Sequence, residues 1–289
     1  MDILISQFFE GIRSPFLTVL AAFFSLFGES LFLIVGICVV YWLVDKVWGE
    51  RLVVVCFSAL SLSGFIKSAV ARPRPYAAGV VSRVELDNPL ISTMGLNPVQ
   101  SFPSGHSVMG SSLFFTTALT YETRKWLWIF CPLMTLGVML SRLYLGVHYF
   151  TDVIAGAAIG ILFSVLWDMV YRLIPKKKYF ILAGFALLSI VFVCIQPSKE
   201  AFEHCGCLCA AAIALPIEKK WIGFSNAKGW KHRLLRIVLG LACVGLVFGL
   251  FSYLPFAFLQ QWGWKFVKYF LTVLVGALLV PFLFKKLKI

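Results

Sequence analysis

Long apolar runs separated by short polar stretches govern the chain from end to end. A membrane-crossing helix takes about 20 mostly apolar residues. On that ruler crossings fall near 29–44, 51–68, 104–120, 126–142, 152–172, 179–196, 202–217, 235–255 and 266–284, the run 202–217 being short. The expected fold is therefore all-α, a polytopic transmembrane helical bundle of about nine crossings. The first stretch, 3–27, is apolar but interrupted by Glu10, Arg13, Ser14 and Pro15, and reads as an N-terminal helix lying in the interface. It lacks the basic start of a signal peptide.

Composition narrows the class. Of the 289 residues, 60% are hydrophobic and 13% charged, with a mean hydropathy of +0.90, against about a quarter charged in ordinary soluble domains. A soluble globule could not hide that apolar surface, and a disordered or nucleic-acid-binding chain needs more polar sequence, despite a net charge of +13. The cations follow topology instead: 17 of the 26 Lys and Arg fall on one side of the crossings and 9 on the other, which makes the richer side cytoplasmic. Eight cysteines scatter through apolar runs, where a thiol serves as a small hydrophobe. Three regions are expected: an interfacial segment 1–27, a helical core 28–175, and an extension 176–289 that begins at the Lys176-Lys177-Lys178 run.

On the sparsely basic side, three segments bring ionisable groups to helix ends, where such residues are costly and functional by default. The second crossing ends in Lys67, and Arg74-Pro75 follows after a proline that stops the helix. Snorkelling anchors are the plainer reading of these cations. The polar stretch 72–102 closes with Ser101-Phe102-Pro103-Ser104-Gly105-His106 at a helix start, where free N–H groups and the dipole favour an anion. An ordinary capped helix would look similar. The fourth crossing ends in Ser141-Arg142, and His148 stands four residues before Asp152, a spacing that puts both on one helical face. A carboxylate there fixes the imidazole tautomer and raises its basicity, as a nucleophilic histidine requires, although the pair could also simply help the helix to start. Three cations, backbone donors and two histidines on one face match what a phosphoryl group needs: charge neutralisation, an in-line nucleophile and a proton for the leaving oxygen.

Lys67-x6-Arg74-Pro75, Pro103-Ser104-Gly105-His106 and Ser141-Arg142-x5-His148-x3-Asp152 resemble the three-part signature of the type 2 phosphatidic acid phosphatase superfamily, complete at all eleven positions. The resemblance covers about residues 28–172 and leaves the extension unaccounted for. It implies an integral membrane lipid phosphatase in which His148 is the nucleophile that forms a phosphohistidine, Asp152 orients it, and His106 protonates the leaving group. It implies that Lys67, Arg74, Arg142, Ser104 and Gly105 hold the phosphate, while Arg72 lies outside the matched positions as a loop cation. The partner it implies is a lipid phosphate in the bilayer: phosphatidate, phosphatidylglycerol phosphate, lipid A, a sphingoid phosphate or, as first choice, undecaprenyl diphosphate. A bacterial inner membrane with the site on the extracytoplasmic side is expected. No cofactor and no metal are expected, because the outer side near the motifs offers only Glu85, Asp87 and Asp152 as carboxylates. A phosphotransferase using the same intermediate and a lipid-phosphate transporter are the alternatives, the latter without the inverted repeats usual for transporters.

Other motifs carry less. Along a helix, Cys205 and Cys209 of the run 204–209 share a face and Cys207 does not, which suits helix packing better than a tetrahedral metal site. Gly156-x3-Gly160 and Gly245-x3-Gly249 read as close helix contacts. Trp42, Trp48, Trp126, Trp128, Trp262, Trp264 and Tyr269 read as interfacial anchors, and Arg83, Glu85 and Asp87 as solvated loop charges.

Overall fold

The computed structural model describes residues 1–86, 91, 93–94, 96–226, 229–253 and 262–289, so Asp87 lies outside the described residues. The protein is all-helical, and no strand occurs among the described residues. The chain runs α1 (Asp2–Gly11), α2 (Pro15–Leu26), α3 (Ser30–Val39, ending in a π turn Val40–Val44), α4 (Lys46–Val70), α5 (Gly105–Thr120), α6 (Leu127–Tyr144) and α7 (Phe150–Leu173). It continues through α8 (Lys178–Ile195), α9 (Lys199–Ile217, then a π turn Glu218–Ile222), α10 (Trp230–Tyr253), α11 (Gly263–Leu274, then a π turn Val275–Leu279) and α12 (Val280–Leu287).

Among the described residues seven helical stretches are long and apolar enough to cross a membrane, and α2 with α3 adds an eighth if that bent pair is one span. With α5, this agrees with about nine crossings, but two of them differ in form. Helix α5, 16 residues long, spans about 24 Å, less than a bilayer core. It can be short because it is an inner helix: Ser107, Ser111, Ser112 and Thr116 are buried against its neighbours. The stretch expected to lie in the interface is two helices, since Ser14 caps α2 through its hydroxyl and Pro15 occupies the first helical position.

The chain divides into two compact units, residues 1–33 with 62–168, and residues 34–61 with 169–289. In the first, α5 and α2 both pack on α6, and Phe114, Ala118, Leu127, Cys131 and Val138 form one apolar cluster. A second cluster, Ala21, Tyr144, Leu145 and Val147, holds the end of α6 and the loop after it. In the second unit α9 lies along α8 and α11. Gly206 is pressed on the Phe266 carbonyl with no room for a Cβ, as small-residue packing requires, and Cys205 and Cys209 share a face with their sulfurs 3.9 Å apart.

Three expectations fail. Trp42 and Tyr269 are buried rather than interfacial, and the Trp42 indole N–H donates to the Gly276 carbonyl at 2.9 Å, in the π turn after α11. Gly245 and Gly249 face open space among the described residues, so that pair makes no close helix contact. Gly156 and Gly160 do, against Ser104 and against Val108 and Ser111 of α5.

Candidate active site

Four segments of the first unit deliver the expected residues to one end of its helices. Lys67 lies in the last turn of α4, Ser104-Gly105-His106 open α5, Arg142 lies in the last turn of α6, and Asp152 lies in the first turn of α7. Lys67, Arg74, Ser104, Arg142, His148 and Asp152 are all buried. A Cβ added to Gly105 would stand 3.6 Å from the Lys67 ammonium, so the cation of one motif sits directly over the helix start of the next. The Ser104 amide donates to the Asp152 carbonyl at 3.0 Å, which ties α5 to α7. Its hydroxyl accepts from the Ser107 amide and from the Ser107 hydroxyl as the cap of α5. The donors that this turn leaves for an anion are therefore the Gly105 and His106 amides.

His148 precedes α7 rather than standing on it. The turn that carries it passes through Gly146, whose φ of +71° and contact with the Ser82 carbonyl both require glycine. Its Nδ1 faces Asp152 Oδ2 at 3.6 Å, longer than a hydrogen bond, and its Nε2 lies 3.0 Å from Arg74 Nη1. Arg74 can only donate, so Nε2 accepts with its lone pair and the ring proton sits on Nδ1, towards the carboxylate. Arg74 is itself fixed by the Asn97 and Val147 carbonyls, at 2.9 and 2.8 Å.

Burial, followed by the charges of Arg74, Arg142, Lys67 and His106, pulls the His148 pKa well below the ordinary histidine value. The expectation that Asp152 makes this imidazole more basic is thereby reversed: desolvation and cations outweigh the carboxylate. The outcome is a neutral imidazole at neutral pH, with its lone pair aimed among cations. Asp152 is meanwhile held on all sides. Ser101 Oγ and the Tyr149 amide donate to Oδ2 at 2.5 and 2.8 Å, and Arg72 donates to Oδ1 at 2.7 Å.

Arg142 is fully buried, yet among the described residues only Nη1 has a partner, the Ser25 hydroxyl at 2.9 Å, while Nε and Nη2 have none. Buried guanidinium donors are normally satisfied. Two donor nitrogens left open near Lys67 and Arg74 are N–H groups that an anion can take up. Among the described residues no three His, Cys, Asp or Glu side chains converge as metal ligands.

A family model described as the PAP2 superfamily matches residues 48–179, and one described as PAP2 superfamily phosphatase, transmembrane extension, matches residues 202–289. The bacitracin transport permease protein BcrC of Bacillus licheniformis is 31% identical over 177 residues, 58% of this chain and 77% of that protein. The chain belongs to the PAP2 superfamily. Two further relatives of this PAP2 protein carry enzyme names. The putative undecaprenyl-diphosphatase YbjG of Escherichia coli is 28% identical over 193 residues, 64% of this chain and 79% of that protein. The lipid A 1-phosphatase of Rhizobium etli is 36% identical over 120 residues, 40% of this chain and 47% of that protein. No solved structure gives a significant match.

Sequence reasoning missed several groups around this PAP2 site. Arg72, read as a loop cation, bridges Asp152 to Asp2 of α1 at 2.8 Å and lies over the Tyr149 ring at 4.1 Å. Asp2 also accepts from the Thr151 hydroxyl and amide. At the other end of α1, Glu10 and Arg13 grip Ser82 in the polar loop. Glu29 Oε1 accepts from His106 Nε2 at 3.1 Å. A signal for Glu29 was present: it is the only charged residue between Arg13 and Asp45.

Proposed function

We propose that this protein is a metal-independent lipid phosphate phosphohydrolase working through a phosphohistidine on His148. The observation that carries the reading is the His148 lone pair at Nε2, 3.0 Å from Arg74, beside a buried Arg142 with two open donor nitrogens. Nε2 attacks phosphorus, the bond to the leaving oxygen breaks, and that oxygen takes a proton from His106. Water then cleaves the N–P bond and returns a proton to His106. Lys67, Arg74, Arg142 and the amides at Gly105 and His106 neutralise the equatorial oxygens, which is the larger part of phosphoryl-transfer catalysis. Asp152 holds the Nδ1–H tautomer. Cations in place of converging carboxylates support a mechanism without metal.

The substrate is a lipid phosphate, with an isoprenoid diphosphate first. The relative named as an undecaprenyl-diphosphatase, matched over 79% of its length, supports that order. On this reading residues 28–175 are the phosphatase core, 1–27 an interfacial segment and 176–289 an extension, in a bacterial inner membrane with the site on the extracytoplasmic side. The excess of Lys and Arg on the opposite side supports that orientation.

The test is phosphate release by the purified protein in EDTA from phosphatidate, phosphatidylglycerol phosphate and undecaprenyl diphosphate, beside His148→Ala. Release should fall by about four orders of magnitude or more in the variant. Activity that vanishes in EDTA and returns with Mg²⁺ would overturn metal independence. A phosphorylated acceptor without free phosphate would instead mark a phosphotransferase. One relative is named for transport, and full activity of His148→Ala in a lipid-uptake assay would favour that alternative.

A further inference from the structure

The second histidine of the site has a carboxylate of its own. Between Arg13 and Asp45 Glu29 is the only charged residue, and the helical run through this stretch breaks at residues 27–29, between α2 and α3. A break at membrane depth frees backbone polar groups and is tolerated where it lines a site. Here it lines His106. The Gly28 backbone lies close against the His106 side chain, and a Cβ at that position would overlap three of its atoms. The next residue places its carboxylate Oε1 3.1 Å from His106 Nε2. One turn before the break, Ser25 takes the single bonded N–H of Arg142. The break therefore serves two parts of the site at once, the proton donor and an anion-binding guanidinium.

We propose that Glu29 is the positioning residue of the acid–base histidine, holding His106 Nε2–H so that the other ring nitrogen exchanges the catalytic proton. This rests on the hydrolase reading above and deepens it. In the first step the imidazolium gives its Nδ1 proton to the leaving oxygen as the P–O bond breaks, and the ring becomes neutral with Nε2–H still on Glu29. In the second step Nδ1 takes a proton from the water that attacks the phosphohistidine, and the ring is again a cation. Glu29 stays a carboxylate throughout and exchanges no proton. It is needed because the other charges that face His106, those of Lys67 and Arg142, are cations that oppose the imidazolium. The site thus holds two carboxylate–histidine pairs with opposite tasks. Asp152 serves a ring that must be neutral to attack, and Glu29 one that must become charged to donate.

The experiment compares Glu29→Gln with wild type on two substrates with different leaving groups. Dioctanoyl phosphatidate expels an alcohol that needs a proton, whereas p-nitrophenyl phosphate expels a stabilised phenolate that does not. In the first step, read as the pre-steady-state burst of released alcohol or nitrophenolate, the variant should lose about 10- to 100-fold in rate on phosphatidate and stay within about 3-fold on the aryl ester, which also reports that the protein is folded. On phosphatidate, adding Glu29→Gln to His106→Asn should cost little more than His106→Asn alone, since the carboxylate acts through that ring. Equal losses in the burst rate on both substrates, or a full additive loss in the double variant, would overturn the assignment of Glu29 alone. A His148→Ala protein as active as wild type would instead overturn the hydrolase reading beneath it.

Discussion

Both units bury charge, but they balance it differently. In the second unit Lys178 meets Glu50 at 2.5 Å, Tyr171 donates to the same carboxylate at 2.8 Å, and Lys46 meets the buried Glu218 at 2.6 Å. Arg236 is spent on the Ile289, Trp42 and Ser225 carbonyls. Each of these cations has its acceptor. In the first unit Lys67, Arg74 and Arg142 gather around His148, and the nearby carboxylates are committed elsewhere, Asp152 to Ser101, Tyr149 and Arg72, Glu29 to His106. Arg142 keeps Nε and Nη2 open among the described residues. A buried cation with its acceptor built in is scaffolding, whereas Arg142 keeps donors available to a ligand.

That contrast can be broken by removing one charge from each side. Arg142→Met should lower kcat by about 100- to 1,000-fold, the usual cost of one donor aimed at a transition-state oxygen. The same variant should melt no lower than wild type, because it removes a buried cation that the protein alone does not neutralise. Orthovanadate should raise the melting temperature of wild type and leave that of Arg142→Met unchanged. Glu50→Gln should behave in the opposite way, losing stability on the order of 3 kcal/mol as Lys178 is left buried and unpaired, with kcat per folded molecule within about 2-fold. Thermal melts and initial rates on the same preparations check both. Loss of stability in Arg142→Met would mean that its open donors have a structural partner after all.

The pH profile sharpens the comparison further. Burial and the surrounding cations hold the His148 pKa well below its ordinary value, so the ring keeps its neutral form as pH falls through about 6.5. The acid limb of kcat/KM for the free enzyme should accordingly lie below that pH, measured with a substrate whose own ionisation is known. A limb at an ordinary histidine value would mean that the site is wetter, or less positive, than its geometry implies.

Much of this was legible beforehand, and the reasons for the rest are physical. The eleven signature residues lie within short sequence windows, so spacing alone placed Lys67, Arg74, Ser104, Gly105, His106, Arg142, His148 and Asp152 at helix ends. Helix count followed from hydropathy, but hydropathy is blind to a break within apolar sequence, so the Gly28–Glu29 interruption was read as the start of a crossing. It is equally blind to burial, so Trp42 and Gly245 were assigned the wrong surroundings. The supporting groups come together only through tertiary structure: 77 residues separate Glu29 from His106, and 70 separate Asp2 from Arg72. The sign of the His148 shift was also out of reach, because one carboxylate four residues away is visible in a sequence and three converging cations with their burial are not.

The smallest expected effects concern the link from α1 to Asp152. Arg72→Met removes the only donor on Asp152 Oδ1 among the described residues, and the freed carboxylate should let the Nδ1–H tautomer of His148 wander, costing about 10- to 100-fold in kcat. Asp2→Asn acts one step further out. Arg72 keeps Asp152, Thr151 and the Tyr149 ring, and its guanidinium is partly open to solvent, so the half-buried Asp2 contact is worth little in itself. A fall of about 2- to 5-fold in kcat is expected, with KM unchanged because neither residue touches the phosphate. Asp2→Asn in an Arg72→Met background should then do nothing further, since Asp2 reaches the site through Arg72. An additional loss there would show that α1 acts by another route, for which the Glu10 and Arg13 grip on Ser82 is the structural candidate, and Glu10→Gln would be the variant to follow.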